Sequence, residues 1–210
     1  MKKAVVFDMD GVLIDSEKYY FQRRMNFFKA IGVIPGSTDL LDYVGKTEAN
    51  TWRVLVPDDE QRRKQLQKEY YSYRAAHPLD FQKALRKEVP TVLQTLQERA
   101  IKIGLASSSP RQEIERMLKE CQLTHYFSYV ISGEELSESK PHPEIYLLSM
   151  KHMACDSYVA VEDSPLGIAS AKAAGMYTVA LAQEFPIDQN QADLQIEQLQ
   201  QLLTLPNLQA

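Results

Sequence analysis

Apolar positions along the chain follow two patterns. The first is a short, nearly continuous run of β-branched and aromatic residues. Ala4, Val5, Val6 and Phe7 form such a run between polar neighbours. It predicts a strand buried on both faces. Similar runs at 101–106, 129–132, 158–161 and 177–182 predict four more strands. The second pattern repeats every three or four residues. Val89, Val92, Leu93 and Leu96 predict a helix over 89–99, and Ile114, Met117 and Leu118 predict one over 112–120. Residues 144–152 and 166–174 continue the series.

Proline and glycine punctuate these runs. Ser109-Pro110, His142-Pro143 and Ser164-Pro165 each place a proline where a helix begins, and Gly175 follows the last periodic residue of its helix. Helix and strand thus alternate from Val89 onward. That order predicts an α/β fold, a Rossmann-like parallel sheet with helices on both faces. Residues 15–85 break the alternation, with helical runs at 16–30, 47–55 and 58–76 and no convincing strand. The expected organisation is a core built from 1–14 and 86–210, with an all-α domain of residues 15–85 inserted after the first strand. The tail from Gln189 is rich in glutamine, and Leu199, Leu202 and Leu203 predict a closing amphipathic helix.

Charge narrows the function classes. Among 210 residues, 24 Lys and Arg face 28 Asp and Glu, a formal net charge of -4. That balance disfavours a dedicated nucleic-acid binder, which needs a basic face. Cys121 and Cys155 have no metal-binding or C-x-x-C spacing. They read as packed, reduced thiols of a cytoplasmic chain. Asp8 and Asp10 cut the first apolar run too early for a signal peptide, and no run approaches the ~18 apolar residues of a membrane span. A monomer without nucleic-acid or membrane partners is expected.

Four segments carry candidate chemistry. Asp8-Met9-Asp10-Gly11-Val12-Leu13 follows the first strand. Ligands in open α/β sheets bind beyond the carboxyl ends of strands, so both acids point to a site. Two carboxylates two residues apart repel when buried, and a hard divalent cation such as Mg²⁺ relieves that. Asp8 can attack phosphorus as a carboxylate nucleophile, with Asp10 as general acid and then base. A polar strand end with a capping aspartate is the plainer reading. Ser107-Ser108-Ser109 follows the second strand and offers hydroxyl and N–H donors to an anion, or a helix cap at Ser109. Lys140, in Ser139-Lys140-Pro141-His142-Pro143, can neutralise phosphate charge or be an ordinary surface lysine. Glu162-Asp163, before Ser164-Pro165, repeats the acid pair of the first strand. The first segment favours a site on its own and the other three alone do not; the four at successive strand ends point to phosphoryl transfer by positioning and electrostatics.

With these segments in hand, the chain resembles the haloacid dehalogenase superfamily of phosphohydrolases. It is most similar to the branch with a helical cap after the first strand, which includes β-phosphoglucomutase and small sugar-phosphate phosphatases. Phe7-Asp8-Met9-Asp10-Gly11-Val12-Leu13-Ile14-Asp15-Ser16, Gly104-Leu105-Ala106-Ser107-Ser108-Ser109, Ser139-Lys140-Pro141-His142-Pro143-Glu144-Ile145-Tyr146 and Val161-Glu162-Asp163-Ser164-Pro165-Leu166-Gly167-Ile168 carry the resemblance over nearly the whole chain. It implies a Mg²⁺-dependent phosphatase acting on a small phosphorylated metabolite, such as a sugar phosphate, through an aspartyl-phosphate. Asp8 would be the nucleophile and Asp10 the acid/base. Ser107, Ser108 and Lys140 would bind phosphate. Asp8, Asp10 (through its carbonyl), Glu162 and Asp163 would hold Mg²⁺. Ser16, Tyr20, Gly45, Lys46, Thr47 and Glu48 would face the substrate from the cap.

Two departures bear on the alternative, β-phosphoglucomutase. Tyr20 stands where β-phosphoglucomutases carry a histidine, and they carry an arginine near the position of Glu48; an acid there would repel the distal phosphate of a bisphosphate. A signalling receiver domain, the remote alternative, has no helical insert and no acid partner two residues past its phosphoryl-accepting aspartate. The rest reads plainly. Trp52 is expected in the core of the helical insert, and its tyrosines as half-buried packing with wet hydroxyls. Arg62-Arg63-Lys64 reads as a solvated face, and His77, His125, His142 and His152 as structural or surface residues.

Overall fold

The structure is a computed structural model that describes residues 1–44 and 46–209. Residue contacts divide the chain into two compact units, Met1–Asp15 with Phe81–Ala210, and Ser16–Asp80.

The first unit is built on six parallel strands: β1 (Lys3–Phe7), β2 (Lys102–Ser107), β3 (Tyr129–Ser132), β4 (Ser157–Glu162), β5 (Tyr177–Leu181) and β6 (Leu194–Ile196). Their order is β3-β2-β1-β4-β5-β6. β1 lies inside the sheet, with Val5 opposite Ile103 on one side and Val159 on the other. Residues 4–7 are buried on both faces, which accounts for their unbroken apolar run. The sheet unit also holds α4 (Phe81–Ala84), α5 (Val89–Glu98), α6 (Arg111–Glu120), α7 (Glu144–Met153) and α8 (Pro165–Ala173). α5 buries Val89, Val92, Leu93 and Leu96, and α6 buries Ile114, Met117 and Leu118. Ser164 caps α8 by accepting from the Gly167 N–H at 3.1 Å, with Pro165 in the first turn.

The structure corrects several expectations. β6 and α4 carry no clear pattern in the sequence. Residues 81–85, expected in the helical insert, belong to the sheet unit, where Ile14 bridges Leu85 antiparallel and the Asp15 N–H donates to the Ala84 carbonyl at 2.8 Å. The closing amphipathic helix is a 3₁₀ segment, Leu199–Thr204, that buries Leu199 and Leu202. Ser109 does not cap α6; that position is Pro110, with no side-chain cap.

The second unit contains α1 (Glu17–Ala30), α2 (Glu48–Leu55) and α3 (Glu60–Ala76). Its core is aromatic. Phe27 packs edge-on to Phe28 at 5.5 Å and to Tyr70 at 5.4 Å, and Trp52 packs on Tyr70 at 5.6 Å. Trp52 lies fully in this core. Tyr43 and Tyr70 are buried rather than half-buried, and their hydroxyls have protein partners. Tyr43 donates to the Ser37 carbonyl at 2.5 Å, and Tyr70 accepts from Arg23 Nε at 3.1 Å. Arg63 departs from the solvated-face reading. Its guanidinium donates to the Val56 and Pro57 carbonyls, both at 2.8 Å, and so satisfies backbone acceptors past the end of α2. Among the described residues, no helix is long and apolar enough to cross a membrane.

Candidate active site

Parallel strands bring their carboxyl ends to one edge of the sheet. Asp8 follows β1, Ser107 ends β2, Glu162 ends β4 and Asp163 follows it. β1 lies between β2 and β4, so these residues converge. Lys140 joins them from the loop before α7, next to a cis Lys140-Pro141 bond. Its ammonium donates to Asp8 Oδ1 at 2.6 Å, Glu162 Oε1 at 2.6 Å and the Ala106 carbonyl at 3.0 Å. That uses all three protons of the ammonium. The surface-lysine reading does not hold, because the Lys140 side chain is only 7% exposed.

Asp10 takes a different partner. Its Oδ2 accepts the Ser109 hydroxyl at 2.7 Å. The Ser107 hydroxyl is buried and accepts the Ser109 N–H at 3.0 Å, while Ser108 is exposed. The three serines therefore differ: 107 shapes the turn, 108 is open to solvent, and 109 holds Asp10.

Carboxylate oxygens of Asp8, Glu162 and Asp163 all lie within 4.8 Å of one another. The Asp10 carboxylate is outside this trio. Two ligands on opposite sides of Mg²⁺ stand about 4.2 Å apart, close to the 4.8 Å within which the trio's oxygens lie, so the trio could hold one ion. Charge leads to the same conclusion. Burial, with Glu162 and Asp10 nearby, pushes the Asp8 carboxyl up to about 7 against the pull of Lys140. Burial and the charges of Asp8, Glu162 and Asp10 also raise Asp163 well above the usual carboxylate range. Burial disfavours the Lys140 ammonium, but Asp8 and Glu162 outweigh it and raise its pKa. One ammonium is too little positive charge for two buried acids and a half-buried third, and a divalent cation would keep them all ionised.

Two glycines make room for these acids. A Cβ on Gly11 would stand 2.0 Å from Asp163 Oδ2, and a Cβ on Gly167 would stand 2.0 Å from Glu162 Oε2. Gly11 also has φ +79°, in the left-handed region that favours glycine.

The remaining candidates lie in the helical unit. The Ser16 carbonyl accepts the Tyr20 N–H at 2.9 Å, and the Arg23 guanidinium sits 5.2 Å over the Tyr20 ring. Thr47 caps α2 by accepting the Asn50 N–H at 3.3 Å. Glu48 accepts Trp52 Nε1 at 2.8 Å and Arg24 at 3.4 Å, and Lys46 is exposed. Gly45 lies outside the described residues. Among the described residues, no histidine joins a metal-capable cluster. His77 stacks on Tyr73 at 3.9 Å, and His152 stacks on Tyr129 at 4.6 Å.

Three contributors escaped the sequence reading. Tyr146 donates its hydroxyl to Glu162 Oε1 at 2.5 Å. Gln189 donates to the Asp163 carbonyl at 2.6 Å, and Arg86 to the Gly11 carbonyl at 3.0 Å. Tyr146 fills an apolar position of α7, so nothing in its spacing announces a polar partner.

The chain belongs to the haloacid dehalogenase-like hydrolases, whose sequence profile matches residues 5–181. It is 30% identical to hexitol phosphatase B of Escherichia coli K12, over 85% of this chain and 82% of that protein. It is 29% identical to β-phosphoglucomutase of Bacillus subtilis, over 88% and 85%. The fold is shared with a HAD-superfamily hydrolase from Geobacter sulfurreducens, at a TM-score of 0.76 and 21% identity over 97% of this chain and 95% of that one.

Proposed function

We propose that the chain is a Mg²⁺-dependent phosphatase that hydrolyses a small phosphorylated metabolite, of the sugar-phosphate type, through an aspartyl-phosphate on Asp8. The observation that carries this reading is the Asp8–Lys140–Glu162 contact beside Asp163, with Asp10 held separately by Ser109. Lys140 takes Asp8 Oδ1, which leaves Oδ2 as the attacking atom. An Asp8 Oδ–phosphorus bond forms as the ester P–O bond breaks, and Asp10 gives its proton to the leaving oxygen. Water then attacks the same phosphorus and gives a proton to Asp10. The Asp8–phosphorus bond breaks, releasing inorganic phosphate and restoring both acids. Ser107 and Ser108 bind the phosphoryl oxygens, and Lys140, whose three protons go to Asp8, Glu162 and the Ala106 carbonyl, offsets phosphate charge from beside them.

Asp8, Asp10 through its carbonyl, Glu162 and Asp163 would hold Mg²⁺. When bound, the ion neutralises charge on the acids and on the transferring phosphoryl group. The helical unit acts as the cap that selects substrate through Ser16, Tyr20, Gly45, Lys46, Thr47 and Glu48. The names of the relatives, hexitol phosphatase B and β-phosphoglucomutase, support a phosphorylated sugar or sugar alcohol.

β-Phosphoglucomutase is the second reading. Glu48, paired with Trp52 and Arg24, disfavours it because a carboxylate there repels a second phosphate. One incubation separates the two. Protein, Mg²⁺ and β-glucose 1-phosphate, seeded with β-glucose 1,6-bisphosphate, should release mainly free phosphate. Mainly glucose 6-phosphate would make it the mutase. Asp8→Asn should abolish both products, and retention of most of the turnover would rule out the aspartyl-phosphate.

A further inference from the structure

The connection between β5 and β6 runs through the glutamine-rich stretch, and two of its side chains turn back toward the acid site. Gln189 is buried, at 6% exposure. Its amide nitrogen donates to the Asp163 carbonyl at 2.6 Å and the Leu181 carbonyl at 2.9 Å. Its amide oxygen accepts Gln195 Nε2 at 2.8 Å. Gln183 repeats the arrangement on the other wall. Its nitrogen donates to the Gly11 carbonyl at 3.0 Å and to the same Leu181 carbonyl at 3.1 Å. Its oxygen accepts the Arg86 guanidinium at 3.0 Å. Each nitrogen faces two carbonyls, which only an N–H₂ group can serve, so the orientation of both amides follows.

These bonds converge on one contact. Gly11 and Asp163 face each other so closely that a Cβ on Gly11 would stand 2.0 Å from Asp163 Oδ2. One wall follows β1 and the other follows β4. No backbone hydrogen bond is seen between Gly11 and Asp163 among the described residues. The Leu181 carbonyl, with its two lone pairs, is the pin between the two glutamines.

We propose that Gln189 and Gln183 are positioning residues that set the distance between the Gly11 and Asp163 walls and thereby hold Asp163 in register with Asp8 and Glu162. This inference rests on the proposed function, in which these three acids share a cation. Partners of metal ligands commonly change metal affinity about 10- to 100-fold when they are lost. An apolar side chain of the same length removes both donors without adding charge.

The test is Mn²⁺ binding, followed by the loss of the free-ion paramagnetic resonance signal, with thermal unfolding of the same metal-free samples. Gln189→Met should raise the Mn²⁺ dissociation constant about tenfold or more, and Gln183→Met should raise it in the same direction. Asp193→Ala, in the same connection but bonded to Lys172 and Thr178, is the control for general loosening. It should lower the melting temperature and leave the Mn²⁺ constant within about twofold. Unchanged binding in both glutamine variants overturns the proposal, as does an equal loss in the Asp193→Ala control. If Gln189→Met fails to fold, Gln183→Met decides alone. Wild-type protein that neither binds Mn²⁺ nor releases phosphate overturns the proposed function and this inference with it; wild-type binding with unchanged variants overturns this inference alone.

Discussion

Tyr146 gives its hydroxyl proton to Glu162 Oε1 at 2.5 Å, and neither side chain reaches solvent. The same oxygen receives Lys140 at 2.6 Å. The ammonium also lies 5.2 Å from the centre of the Tyr146 ring. Tyr146 thus supports the carboxylate through its hydroxyl and the ammonium through its face. Burial, followed by the neighbouring Glu162 charge, raises the phenol well above its usual range, so it remains a donor. Tyr146→Phe keeps the ring and removes the donor. Urea unfolding should show a loss of about 1–3 kcal/mol, the cost of stripping one hydrogen bond from a buried charge. A change below ~0.5 kcal/mol would show that Lys140 satisfies the oxygen alone.

Gly167 offers a prediction of reversed sign. Alanine ordinarily stabilises a helix over glycine by about 1 kcal/mol. Here its Cβ would meet Glu162 Oε2 at 2.0 Å, and Glu162 is fully buried with its other oxygen held by Lys140 and Tyr146. Gly167→Ala should therefore destabilise the protein by about 1–3 kcal/mol in urea titrations. A stabilised variant would mean that Glu162 is free to swing away.

Asp193 carries the pH dependence that is simplest to isolate. Burial works against its charge, but bonds from Lys172 and from the Thr178 N–H outweigh that and hold the carboxyl below its ordinary 3.8. A depressed carboxyl contributes stability above its unfolded value and loses it as pH falls through the folded one. The difference in unfolding free energy between wild type and Asp193→Asn should be flat from about pH 5 to 7 and shrink below about pH 4. Its plateau should be about 1 kcal/mol, because both partners are partly solvated, at 36% and 28% exposure. A difference that grows toward acid pH would contradict this assignment.

If the acid trio holds Mg²⁺ as proposed, metal removal should lower the stability of the protein. Mg²⁺ at about a hundred times its dissociation constant adds roughly 2.7 kcal/mol to the folded state. For a chain of this size that corresponds to a rise of roughly 5 °C or more over an EDTA-treated sample in a thermal scan. Asp163→Asn should abolish most of the rise. An identical melting temperature with and without Mg²⁺ would show that the trio holds no cation.

The sheet is legible because its strands are buried on both faces and carry unbroken apolar runs; residues 129–132 coincide with β3. β6 is only three residues long and buries Ile196 alone, too short a run for period or composition to mark. Asp8, Lys140, Glu162 and Asp163, which the structure brings together, stand out in the sequence because each lies at or beside the end of a recognisable element. Their partners do not. Ser109 meets Asp10 across 99 positions, and Gln189 meets Asp163 across 26. Such pairs depend on loop paths, which leave no periodic trace. Tyr43 and Tyr70 failed for a related reason. A tyrosine on a helical unit looks alike in sequence whether its hydroxyl meets water or, as here, a carbonyl or a guanidinium.

The bridge between Ile14 and Leu85, with Asp15 bonded to Ala84, ties together the two points where the chain leaves and rejoins the sheet unit. Exit and return share one doorway. Every strand pair of the sheet joins residues outside 16–80. The acids Asp8, Glu162 and Asp163 all belong to the sheet unit, on one side of this doorway. Exchange of residues 16–80 for the matching stretch of a relative, with the junctions at this bridge, is expected to leave the sheet unit folded.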